Sequence, residues 1–179
     1  GPTTGNDDDE DDETGEKSSS GAAHPLTKLL VEDLAACFSR ERADAIALAF
    51  CDGLGVKHKA RKRLVKALFQ VPRTALELLP HYARVVAVVS VAYRDVGALL
   101  VDNLFDEFRY WLRKPAKPGG PHATSYALDA RIKNARFVAE LTKFRVAPPK
   151  NAFGMLKACL DDFGRSDNVD VACALLEAA

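Results

Sequence analysis

One methionine, one tryptophan and four cysteines are all this 179-residue chain holds of those types, and no two cysteines form a CxxC pair. Without such a pair, or a histidine at finger-like spacing, a zinc finger has no ligand set. Cys37, Cys159 and Cys173 stand among apolar residues at helical spacing, so these three and Cys51 are expected as small buried hydrophobes in a reducing compartment. The apolar runs are too short and too interrupted for a membrane span, and no secretory signal opens the chain. A cytoplasmic location, the perinuclear region included, is therefore expected. HExxH, GxSxG, a P-loop and a GxGxxG after a strand are also missing. His24, His58, His81 and His122 have no carboxylate at metal-ligand spacing, and Cys51 with His58 is too weak a pairing to suggest a nucleophile and its base. No catalysis, cofactor or metal is expected. Alternating strand patterns are scarce as well. Residues 85–91 are rich in valine, but their flanks read as helix and no partner strand is available.

Charge is present in balance, with a formal net of zero that hides two opposite parts. Eight acidic residues (Asp7, Asp8, Asp9, Glu10, Asp11, Asp12, Glu13, Glu16) face Lys17 alone in the first twenty positions, while the body carries an excess of seven positive charges. Residues 1–24 have almost nothing apolar and cannot offset the entropy of folding, so they read as a disordered acidic tail or linker, with Gly1-Pro2 the remnant of a cleaved tag. A helical domain is expected over 25–179.

From Leu26 onward apolar residues recur at helical spacing. Leu26, Leu29, Leu30, Leu34, Cys37 and Phe38 mark a first helix. A second is expected over 40–54 and a third over 57–70, ended by Pro72. A fourth, capped by Thr74 with Glu77 at N3, is expected to bend near Pro80. The fifth spans 93–114, and the proline- and glycine-rich stretch 114–124 reads as a surface loop before a sixth helix with Ser125 as cap. Residues 149–163 and 169–178 supply the last two, the former with Leu160 and Phe163 among its apolar set. Short turns join consecutive helices antiparallel, and pairs recur at roughly 35–50 residues, the period of HEAT-type stacks. The fold class expected is all-α, stacked antiparallel helix pairs in a HEAT-like α-solenoid.

Within 132–145 the polar side chains Lys133, Arg136, Glu140 and Lys143 fall in one arc roughly 80° wide, and apolar residues cover most of the rest. So narrow a wet strip requires neighbours on at least two sides, expected from the 93–114 and 149–163 helices. Arg136 and Glu140 are spaced to pair at i, i+4 and are expected to tie helices together.

The densest charge is KHKARKRLVK, 57–66. Lys59, Lys62, Arg63 and Lys66 share its outer side with Arg61 at the edge, a candidate surface for RNA or an acidic partner. Tyr110 and Arg113 form a second candidate partner surface, while Trp111 belongs to the apolar face.

RIKNARFVAELTKFRV (131–146) resembles the signature of middle-domain-of-initiation-factor-4G (HEAT-type) domains, in which a basic lead-in precedes R-F-aliphatic-x-E-L. Arg136, Phe137, Glu140 and Leu141 carry that structural signature. The stretches 61–87, 106–114, LKACLDDF and VACALLE, with the acidic run upstream, are similar to the second of three such domains in the scaffold of nonsense-mediated mRNA decay. The resemblance implies a non-enzymatic adaptor in which this domain is chiefly architectural: the decay helicase, its kinase and the exon-junction partner protein are reached through the full scaffold. It carries no partner-contact residue onto this chain. Two departures stand out: such domains usually continue through further helices beyond a position like Ala179, and the 114–124 loop is not a family feature. A monomer is expected. The alternative is an RNA-binding helical-repeat domain of a translation or mRNA-processing factor, motivated by the basic body and the 57–66 helix.

Overall fold

The computed structural model of the chain describes residues 24–113 and 121–179, the side chains of 121–124 excepted. The acidic run 7–16 and most of loop 114–124 lie outside the described residues. Helices and no strand make up the regular structure of the described residues. Helix α1, Pro25–Lys28, runs into a wide π turn at Leu29–Asp33, and α2, Arg40–Ala49, into another at Phe50–Leu54. Then come α3 (His58–Phe69), α4 (Leu79–Ala92), α5 (Arg94–Arg113), α6 (Pro121–Lys143), α7 (Pro149–Leu160) and α8 (Ser166–Ala178).

Local chemistry sets most boundaries. The His24 Nδ1 accepts from the Leu26 N–H at 3.3 Å with Pro25 in the first turn, so His24 caps α1 and belongs to the folded body. Ser39 accepts from the Arg42 N–H at 3.2 Å and caps α2. Gly53, at φ 120°, lets the chain leave the second π turn in a conformation L side chains avoid. A Cβ on Gly55 would stand 2.5 Å from the Tyr93 ring and 2.8 Å from the Phe50 ring, so only glycine lets these two aromatics close over the turn.

Three expected boundaries are corrected. Thr74 does not cap a helix: the chain makes a 3₁₀ turn at Leu76–Leu78 with no side-chain cap, and α4 begins at Leu79. Pro80 therefore falls in the first turn, where no N–H is required of it, and causes no bend inside the helix. Helix α6 is already under way at Pro121, so Ser125 lies within it and its hydroxyl donates to Asp129 Oδ2 at 3.4 Å. Helix α7 ends at Leu160, short of Phe163, and Leu160 and Phe163 are 50% and 56% exposed, outside the core. Phe38, expected on the first apolar face, is exposed too. Of the cysteines, Cys37 and Cys159 are buried and Cys51 partly so, whereas Cys173 is exposed because it falls on the outer side of α8; none is disulfide-bonded.

The helices form two layers. α2, α4, α6 and α8 touch in succession to make one; α3 packs on α5 in the other, and α7 rests on α6 and α8. This is the arrangement of a HEAT-like stack, each pair covering the next. α6 sits inside it, with α4, α5, α7 and α8 all against it and its most extensive contacts on α8 and α5. Ala135, Phe137, Val138, Ala139 and Leu141 are fully or almost fully buried. The strip expected to be wet is largely dry: Lys133 and Glu140 are buried, Arg136 is half-buried, and Lys143 alone is exposed. At the other end of the stack the Tyr82 hydroxyl donates to the Leu34 carbonyl at 3.0 Å, and burial pushes its pKa up to about 12.

Candidate partner surfaces

Helix α3 turns Ala60, Leu64, Val65 and Leu68 into the core. That leaves Lys59, Lys62, Arg63 and Lys66 exposed on its outer side. Arg63 also reaches Thr27 Oγ1 at 3.4 Å, linking the basic face to α1. Arg61 is placed differently. Its Nε donates to Asp95 Oδ2 at 2.7 Å, its Nη1 to the Gly55 and Val56 carbonyls at 3.0 and 2.8 Å, and its guanidinium lies 5.1 Å from the Tyr93 ring. With its donors committed inward, Arg61 joins α3 to the start of α5, and four cations remain on the open face.

Tyr110 and Arg113, both exposed near the end of α5, belong to another neighbourhood. The Tyr110 ring lies 5.0 Å from Trp111, and Trp111 5.2 Å from Tyr126, which in turn carries the Arg73 guanidinium 3.6 Å from its centroid. This stack of rings fastens the end of α5 to the first turns of α6 and to the 70–75 connection. It is separate from the α3 face.

Three polar arrangements lie between the helices. Glu107 on α5 accepts from Lys133 Nζ at 3.4 Å and from Asn134 Nδ2 at 2.9 Å, and the same ammonium donates to the Phe69 carbonyl at 3.2 Å. Burial pulls the Lys133 ammonium below its ordinary value, while the Glu107 carboxylate pushes the other way. A cleft of about 400 Å³ beside them is bounded by Gln70, Arg73 and Tyr126 as well. Arg131, 2% exposed, donates from Nη2 to Asn168 Oδ1 on α8, and Asn168 Nδ2 donates to the Asp162 carbonyl at 2.6 Å. Burial lowers the Arg131 pKa and raises that of the neighbouring Cys159 thiol. The third is a set of ion pairs along the α2–α4–α6–α8 layer. Arg84 grips Asp44 in bidentate fashion at 2.6 and 2.8 Å, and Arg136 reaches Glu177 at 3.3 Å. The pair expected between Arg136 and Glu140 does not form: Glu140 takes Lys143 at 3.0 Å on its own helix, because α8 offers Arg136 a carboxylate across the layer. Arg136 thus ties two helices together and Glu140 does not.

The Asp44 carboxyl is held below its ordinary value of 3.8 chiefly by the Arg84 hydrogen bonds. A depressed carboxyl adds stability above its unfolded value and loses it as pH falls through the folded one. Asp44→Asn should therefore lower the urea midpoint at pH 7, and the gap from the parent should close as pH drops below about 4. A gap independent of pH would remove the charge from the explanation.

Residues 26–179 match the MIF4G domain family. The chain belongs to that family. This MIF4G domain is 42% identical over 148 residues to the Regulator of nonsense transcripts UPF2 of Arabidopsis thaliana, covering 83% of the chain and 12% of the plant protein. It is 35% identical over 163 residues to the Regulator of nonsense transcripts 2 of Homo sapiens, covering 90% and 12%. Nonsense-mediated mRNA decay protein 2 of Schizosaccharomyces pombe is 31% identical over 171 residues, covering 96% and 15%. The chain thus spans about an eighth of the length of these relatives.

In the MIF4G domain the signature residues Arg136, Phe137, Glu140 and Leu141 sit on one helix, α6, with different surroundings: Phe137 and Leu141 in the core, Arg136 against Glu177 of α8, Glu140 against Lys143. Sequence periodicity missed the buried trio Arg131, Lys133 and Asn134, because it assigns every polar side chain to solvent. Three polar residues in four positions on a helix flanked on two sides was the available signal.

Proposed function

We propose that this MIF4G domain is a non-catalytic scaffold domain of the nonsense-mediated mRNA decay machinery, the second of three in its parent protein, acting in the cytoplasm through architecture and protein contacts. The observation that carries this reading is the similarity to regulators of nonsense transcripts along 83–96% of the chain. The internal chemistry supports it: Glu107, Lys133, Arg131, Asn168 and Arg136 are spent on holding helices to one another. The decay helicase, its kinase and the exon-junction partner protein are reached through the rest of the scaffold.

A second reading, RNA binding, is favoured by one feature, the four open cations of α3. Fluorescence anisotropy with single-stranded RNA at two salt concentrations separates the two. The scaffold reading expects weak binding that charge reversal of Lys59, Lys62, Arg63 and Lys66 barely alters. Tight binding with a steep salt slope, abolished by that reversal, would replace it with the RNA reading.

A further inference from the structure

An apolar groove of about 460 Å³ opens beside α4, lined by Leu48, Val88, Val91, Ala92 and Phe144. The one charged group on it, Arg84, is already committed to Asp44. Leu48 is 63% exposed and Val91 85%, high values for aliphatic side chains standing next to one another on a folded surface. Through Ala87, Val91 and Phe144 the groove continues into a wider one of about 800 Å³, whose rim carries Arg94, Arg145 and Lys150. One carboxylate, Asp102, shares that rim; no ion pair within 4.0 Å joins it to any of the three cations among the described residues. The floor is thus apolar at one end and flanked by uncommitted positive charge at the other.

Arg145 adds a second observation. It closes α6 at φ 60°, the left-handed conformation in which glycine is the favoured residue, while the next two N–H groups return to the Leu141 carbonyl at 2.9 and 3.2 Å. A cation occupies the position where folding alone prefers glycine.

We propose that this groove docks an amphipathic helix of a partner protein, its apolar stripe on Val88, Val91 and Phe144 and its acidic end against Arg94, Arg145 and Lys150. A helix suits the site because the described residues offer no sheet edge for an added strand, and helix-in-groove recognition uses this combination of apolar anchors and charged rim. The chain's own acidic run, 7–16, lacks the apolar residues the floor requires. The proposal rests on the protein-contact part of the scaffold reading.

The test selects peptides from a randomised helical display library on the immobilised domain, then measures the winners by anisotropy. Winners should carry apolar residues at i, i+4 and i+7 with Asp or Glu at one end. Val91→Glu should weaken them at least about tenfold, and Arg145→Gly about fivefold at low salt. Both variants should melt within about 2 °C of the parent or above it, since Val91 is exposed and glycine fits the Arg145 backbone. No winners, winners with a basic end, or winners indifferent to Val91→Glu would overturn the groove. So would a dimer in sedimentation that Val91→Glu dissociates, which would make a second copy the occupant. Winners that bind but ignore Val91→Glu leave the scaffold reading standing; that reading falls only to the RNA titration.

Discussion

Phe137→Ala is expected to lower the stability of the domain by about 3–5 kcal/mol, seen as a shift of the denaturant midpoint at an unchanged m-value. Phe137 is completely buried, on the helix that four others touch. Truncating a buried aromatic removes its transfer free energy and leaves a cavity, and the cost grows when the surroundings cannot close in. Here α4 also packs on α5 and α7 on α8, so a collapse toward the vacated space would have to move helices in pairs. A loss below about 1 kcal/mol would mean that α6 is not enclosed in this way.

Asn168→Leu is expected to cost about 2–4 kcal/mol, although it replaces a polar residue by an apolar one in a buried place. Asn168 is fully buried, accepts from the Arg131 guanidinium and donates to the Asp162 carbonyl. Its removal leaves a buried cation whose Nε already lacks a partner, held by weak contacts with the Cys159 sulfur at 4.0 Å and the Phe108 ring at 5.8 Å and by the more distant charge of Asp167. Desolvating a charge without compensation is the expensive event, more so than losing one hydrogen bond. Adding Arg131→Met should then recover most of the loss, because the double replacement removes the stranded charge as well. Chemical denaturation of the two single variants and the double variant gives the coupling. If the double variant is as unstable as the sum of the singles, the guanidinium is not the cause.

Helix positions were legible because apolar residues recur at 3.6-residue spacing whatever lies opposite them. The enclosure of 132–145 was legible too, from the narrowness of its polar arc. What filled that arc was not. Lys133 was expected in water and is instead buried against Glu107 and the Phe69 carbonyl, since a wheel records which side a residue faces and not whether another helix covers that side. The misplaced helix starts at Thr74 and Ser125 have a related cause: capping chemistry is permitted at many serines and threonines, and the tertiary path of the chain decides which are used. Among the candidate cations, Lys59, Lys62, Arg63 and Lys66 were correctly grouped as one outer face, whereas Arg61 is taken inward by Asp95 and two carbonyls that only folding brings near.

The sequence by itself determined an all-α chain of antiparallel pairs and its membership of the MIF4G family, since both rest on local spacing and on motifs read along one strand of residues. Tertiary structure alone decided the partners of the charges: Arg136 with Glu177 and not Glu140, Arg131 with Asn168, Lys133 with Glu107. Ion pairs and buried hydrogen bonds form between groups that are tens of residues apart, at energies set by burial, and neither separation in space nor burial is written in a period.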